Sequence, residues 1–149
     1  WQPETRPKYA QPSGGEAKYF LLDHLQGDRP LLLCEGEKDA CLLWQEARDF
    51  ADVLALGGAS MHLTTLTARV LSSYGRVYCA YDVDQAGDKG GETLRQWAKA
   101  NGVALTRVKV PAGSDIVDFY NTGGDVRRWA ASIVGADIPP SPFNQGGAV

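Results

Sequence analysis

Leu31-Leu32-Leu33-Cys34-Glu35-Gly36-Glu37-Lys38-Asp39 and Val77-Tyr78-Cys79-Ala80-Tyr81-Asp82-Val83-Asp84 share one pattern, a short apolar run that breaks into acids. An uninterrupted apolar run bounded by polar residues is the mark of a strand buried on both faces, as in a parallel sheet. The acids then fall at the carboxyl ends of neighbouring strands, the edge where open α/β sheets bind their ligands. Neighbouring strands lie roughly 5 Å apart, so Glu35 and the Asp82/Asp84 pair repel one another unless a hard cation such as Mg²⁺ lies between them.

The rest of the chain fits the same plan. Strands are predicted at 31–34, 53–56, 76–81 and 103–110. A helix predicted at 37–50 carries Ala40, Cys41, Trp44, Ala47 and Phe50 or Ala51 on its apolar face. A second, ending near residue 73, takes Ser60 as its N-cap and turns Leu63, Leu66 and Val70 inward. A third starts within 86–91 and runs to Asn101, burying Leu94, Trp97 and Ala98 and stopping at Gly102. A short element at 116–120 and a helix at 125–134 follow, and residues 18–26 form a weakly helical lead-in. Successive strand-then-helix units imply a four-stranded parallel sheet with right-handed crossovers and flanking helices. The expected division is a partly looped lead-in (1–27), an α/β core (28–135) and a Pro/Gly-rich tail or linker (136–149).

Composition narrows the function. The 149 residues, 44% of them hydrophobic and 22% charged, suit one globular domain with an ordinary core. The first residue is Trp1 rather than Met and both ends are rich in Pro, Gly, Ser and Gln, as expected of a segment of a longer protein. The three cysteines lack metal-ligand spacing and are expected as small buried thiols in a reducing cytoplasm. No apolar stretch approaches the roughly 20 residues of a membrane span, so no membrane association is expected. A net charge of −3 argues against a stand-alone nucleic-acid clamp but suits a catalytic domain that gathers carboxylates around a metal.

Each candidate residue has a functional and a plain structural explanation. Glu37 and Asp39 would stabilise a helix start electrostatically, but Glu35 directly follows a strand and precedes Gly36, which leaves the turn open to a ligand. Asp82 and Asp84, two apart, project to one side if the strand persists through them; the alternative is a turn in which Asp accepts local hydrogen bonds. Asp88 either extends the site or belongs to a helical first turn. Gly87, Gly90 and Gly91 at a helix start would let backbone approach a phosphate, and Gly57-Gly58 lie between a strand and a helix at the acidic edge. Asp115 and Asp118 could add outer carboxylates, with helix capping as the alternative for Asp118. Lys38, Lys89, Arg95 and Lys109 could meet phosphates or simply be solvated.

Glu35-Gly36-Glu37-Lys38-Asp39-Ala40, Gly57-Gly58-Ala59 and Asp82-Val83-Asp84-Gln85-Ala86-Gly87 together resemble the Toprim domain of topoisomerases and bacterial-type primases. The resemblance implies a Rossmann-like Toprim fold, a glutamate that serves as general acid/base or metal ligand, and two aspartates that hold Mg²⁺, with Mn²⁺ as a substitute. Glu35, Asp82 and Asp84 are then the catalytic and metal residues, with Asp39, Asp115 and Asp118 as further metal ligands. Lys8-Tyr9-Ala10-Gln11-Pro12 resembles the basic stretch that precedes the core in phage and plasmid primases, lacking its usual Asn. Residues 113–120 resemble the acidic stretch after the fourth strand of mobile-element primases, with Val117 where Asn or Asp is common.

The family thus implies a DNA primase that joins ribonucleoside triphosphates on single-stranded DNA within a primosome, alongside a replicative helicase or fused helicase domain. Lys8, Lys38, Gly57, Gly58, Gly87, Asp88 and Lys89 are the candidates for nucleotide or nucleic-acid contact. A Toprim nuclease and a non-catalytic Toprim module are the alternatives. A haloacid-dehalogenase phosphatase also places Asp-x-Asp after a strand, but on the first strand and with Thr or Val where this chain has Ala86.

Overall fold

The computed structural model describes residues 19–57 and 63–138. Among them are four strands, β1 (Leu31–Cys34), β2 (Asp52–Ala55), β3 (Val77–Cys79) and β4 (Leu105–Arg107). The helices are α1 (Glu37–Ala47), α2 (Thr65–Ser72), α3 (Gln85–Ala100), α4 (Ile116–Asn121) and α5 (Val126–Val134). The strands form one all-parallel sheet in the order β2-β1-β3-β4, so the two strands that lead into acids are hydrogen-bonded neighbours.

All four β1 side chains are fully buried, because alternate residues feed two cores. Leu32 and Cys34 pack with α1, α4 and α5 through Leu43, Ile116, Trp129 and Ala130. Leu31 and Leu33 face the other layer, where Leu71 of α2 and Leu94 and Ala98 of α3 close the core. The result is the expected sheet between two helical layers.

Several local expectations are corrected. α1 buries Ala40, Leu43 and Ala47, while Cys41 is exposed, because the inward stripe runs one residue away from the face expected from Cys41 and Trp44. Cys34 and Cys79 are the buried thiols. α2 begins at Thr65, where Thr64 and Thr67 cap one another reciprocally, and its buried residues are Thr67 and Leu71; Leu66 is 42% exposed. Ser60 lies outside the described residues. Among the described residues of the lead-in, Leu22–His24 form a 3₁₀ turn, and Phe20 makes an antiparallel bridge to Ala55 on the outer edge of β2. Among the described residues no helix is long and apolar enough to cross a membrane.

Candidate active site

β1 and β3 run parallel in adjacent positions, Leu33 opposite Cys79, so Glu35 and the 82–84 turn leave the same edge of the sheet. The electrostatics record the convergence. Burial, then the charge of Glu35, followed by those of Asp39, Asp115 and Asp84, pushes the Asp82 carboxyl up to about 7. Burial and then Asp115 raise Asp39 as well. The charge of Glu35 also contributes to the upward shifts of the Cys79 thiol and the Tyr81 phenol, in each of which burial is the largest cause.

The aspartates reach this edge by a route different from the expected one. β3 ends at Cys79, so strand alternation does not orient Asp82 and Asp84. Asp84 is instead the N-cap of α3, its Oδ1 accepting the Gly87 backbone N–H at 2.7 Å, and the helix therefore starts at Gln85. Asp115 likewise caps α4, accepting from the Asp118 N–H at 2.6 Å. Asp39, only 8% exposed, accepts the Val117 N–H at 3.2 Å and so ties the start of α1 to α4. Asp118, in the first turn of α4, accepts from the Ser114 hydroxyl and lies on the exposed side. Asp82 is thus the acid on which the charges of four others converge.

The glycines have structural reasons of their own. Gly57, two residues beyond β2, has φ +83°, in the left-handed region that favours glycine. A Cβ on Gly87 would stand 2.2 Å from the Asp82 carbonyl oxygen, so the close approach at this position is made by the protein's own backbone. Gly91 makes room for the Arg107 side chain, whose Nε would lie 3.0 Å from a Cβ there. Gly36, by contrast, has an extended conformation open to any residue and only ordinary contact with Asp39 at 3.6 Å. Lys8 and Gly58 lie outside the described residues.

The basic candidates divide. Asp88 pairs with Lys109 at 3.3 Å and with Arg107 at 3.2 Å, and hydrogen bonds from those two cations hold its carboxyl below the usual range. Arg95 is bound to Glu92 through two hydrogen bonds of 2.8 and 2.7 Å. Lys38 and Lys89 are exposed in the first turns of α1 and α3. Sequence reasoning missed Arg107, which closes β4 and donates from Nη2 to the Asp82 carbonyl at 3.0 Å. The available signal was a lone arginine in the strand after the acidic turn, with Gly91 in the preceding helix leaving room for its side chain.

Among the described residues no three carboxylate, thiol or imidazole groups are gathered closely enough to enclose a metal ion. Mg²⁺ takes one or two carboxylates and completes its shell with water and substrate phosphates. The donors at this edge are all hard oxygens, and a carboxyl raised by burial and then by crowded charge is one that a cation would help to ionise. The residue set fits a divalent cation of that kind.

A protein-family profile described as Toprim-like matches residues 32–120. The primase fragment of the bacteriophage T7 primase-helicase protein is similar in structure, with a TM-score of 0.62 and 21% identity, covering 78% of this chain and 50% of that one. The zinc-binding and RNA polymerase domains of the Aquifex aeolicus primase give a TM-score of 0.61 and 25% identity, covering 80% of this chain and 29% of that one. A DnaG primase catalytic domain bound to single-stranded DNA gives 0.57 and 23%, covering 76% and 38%. The chain spans half or less of each of these proteins. No curated protein matches it by sequence. With the parallel sheet, the two acid-tipped strands and a family match across most of the described core, the chain belongs to the Toprim-like family.

Proposed function

We propose that this chain is the catalytic Toprim domain of a DNA primase, forming phosphodiester bonds between ribonucleotides on a single-stranded DNA template with Mg²⁺ or Mn²⁺. The observation that carries the proposal is the acid edge: β1 and β3 are parallel neighbours that bring Glu35 and the 82–84 turn to one end of the sheet, where burial and the charges of Glu35, Asp39, Asp115 and Asp84 push the Asp82 carboxyl up. Three separate segments supply these charges, the β1–α1 junction, the turn after β3 and the start of α4, which is what a cation site needs and what a single capped helix would not produce. The likeness to primase fragments directs the choice among Toprim activities.

Bound at this edge, the cation would offset the charge of a triphosphate and lower the barrier to attack by a primer 3′-hydroxyl. Asp82, once relieved of its proton, is the principal ligand. Asp84 keeps Oδ1 on the Gly87 N–H and offers Oδ2. Glu35 adds the carboxylate of the neighbouring strand, either to the cation or to the proton of the attacking hydroxyl. Asp39 and Asp115 act chiefly through their charge, one tied to Val117 and the other to Asp118. Template, ribonucleoside triphosphates and a helicase, in a cytoplasmic replication assembly, are the expected partners. The division into lead-in, core and tail belongs to the same proposal, with the core working inside a longer polypeptide.

The test supplies that polypeptide with single-stranded template, ribonucleotides and Mg²⁺. Short RNA products that vanish with Asp82→Asn and Glu35→Gln are expected. Asp82-dependent cutting of DNA with no ribonucleotide incorporated would overturn the primase proposal in favour of a Toprim nuclease. Normal products from both variants would remove catalysis from this edge altogether.

A further inference from the structure

Arg107 is the last residue of β4, and its guanidinium reaches back across β3. Its Nη2 donates to the Asp82 carbonyl at 3.0 Å and to Asp88 Oδ1 at 3.2 Å, while its Cζ stands 5.9 Å from the centroid of the Tyr81 ring. The side chain is 16% exposed, and it lies so close to Gly91 that a Cβ there would be 3.0 to 3.2 Å from Nε, Cδ and Cζ. The Asp82 peptide is therefore held from two sides. Gly87 admits its carbonyl against the first turn of α3, and Arg107 binds the same oxygen from the edge strand.

We propose that Arg107 is a positioning residue for the acidic turn: its fork fixes the Asp82 backbone relative to α3, and so sets how well Asp82 and Asp84 meet a divalent cation. The inference rests on the proposed cation site. A single Nη2 carries two hydrogens and serves two acceptors, one on each side of the 82–88 turn, which a side chain with fewer donors could not span in the same packed geometry. Lys109, whose Nζ is 3.3 Å from Asp88, shares that carboxylate, so Arg107 is not needed merely to neutralise it.

The sign of the effect separates positioning from charge. A guanidinium near a cation site repels the cation, so charge alone makes its removal tighten binding. Positioning makes its removal weaken binding. A purely structural role would lower the unfolding midpoint yet leave cation affinity unchanged in the folded fraction.

The experiment titrates Mn²⁺, read by electron paramagnetic resonance, into wild-type protein, Arg107→Met and Arg107→Lys at a temperature where thermal scans show each folded. Arg107→Met is expected to bind about tenfold more weakly, a loss near the net worth of one charged hydrogen bond. Arg107→Lys, which keeps the charge without the packed planar fork, should fall roughly threefold and decides the matter if the methionine variant does not fold. Affinity equal to or tighter than wild type, in whichever variant folds, overturns the proposal. An Asp82→Asn control that binds Mn²⁺ like wild type would overturn the cation site itself, and this inference with it.

Discussion

The carbonyl oxygen of Asp82 lies 2.2 Å from the point where any side chain at Gly87 would place its Cβ. The turn that carries the crowded acid is thus packed directly on the first turn of α3, and the Gly87 N–H completes it by binding Asp84. Gly87→Ala should therefore destabilise the protein by ~1–3 kcal/mol, the usual cost of overpacking, although alanine in a free helix would gain ~1 kcal/mol over glycine. Urea denaturation checks it, and a variant as stable as wild type would show that the turn is not packed in this way.

The raised carboxyl of Asp82 links stability to pH. Between about 4, the unfolded value, and about 7, the folded protein holds a proton that the unfolded chain has released. Stability without metal should then be greatest at the acidic end of this window and decline as pH rises through about 7. A three-unit shift corresponds to ~4 kcal/mol, and partial solvent exposure reduces the expected decline to ~1–2 kcal/mol. Denaturation in chelator at pH about 5 and about 8 should show the decline, Mg²⁺ should lessen it at the higher pH, and Asp82→Asn should flatten it. An unchanged slope in that variant would contradict the assignment.

Asp39 makes a structural bond with a charge it does not need. Its Oδ1 accepts the Val117 N–H at 3.2 Å, and burial together with Asp115 disfavours its ionised form. Asparagine keeps the acceptor and removes the repulsion. Asp39→Asn should raise the unfolding midpoint of the metal-free protein at neutral pH and weaken Mn²⁺ binding less than Asp82→Asn does. A lowered midpoint would mean that the charge itself stabilises the fold.

At the opposite edge of the sheet, Asp52 is a purely structural acid. It is 4% exposed and its Oδ2 accepts from the Gln26 and Gly27 N–H groups at 2.8 Å each and from the Tyr74 hydroxyl at 2.6 Å. Asp52→Ala should cost ~2–4 kcal/mol by stranding these donors, and Tyr74→Phe only ~1 kcal/mol. Neither change should alter Mn²⁺ affinity. Equal loss from the two variants in denaturant titration would mean that the Tyr74 hydroxyl bond, rather than the Gln26 and Gly27 N–H groups, carries the anchoring.

What could be read from sequence follows the strength of the local signal. Leu31 to Cys34 is an unbroken apolar run, and the structure places a fully buried strand at those four residues. The adjacency of β1 and β3, and with it the meeting of Glu35 and Asp82, followed from two acid-tipped runs in one parallel sheet. Short elements were harder. In the eight residues of α2 the apolar positions fit more than one face, and Tyr19, by hydrogen-bonding the hydroxyls of Thr64 and Thr67, settles the orientation from a distant part of the chain. Asp84 carries a cap and a candidate ligand role in one side chain, which spacing alone does not separate. Arg107 was hidden because its partners are a backbone carbonyl and an acid nineteen positions away, contacts that leave no periodic trace.

The most direct test of the acidic edge is calorimetric titration of Mn²⁺ into the metal-free protein at a pH of about 8, above the folded value of Asp82, for wild type, Asp82→Asn and the Asp82→Asn/Asp84→Asn double variant. The expected result is weak, single-class binding by wild type, a loss of tenfold or more, about 1.4 kcal/mol, in Asp82→Asn, and no measurable heat from the double variant. Binding by the double variant as strong as that of wild type would contradict a cation site built on these two aspartates.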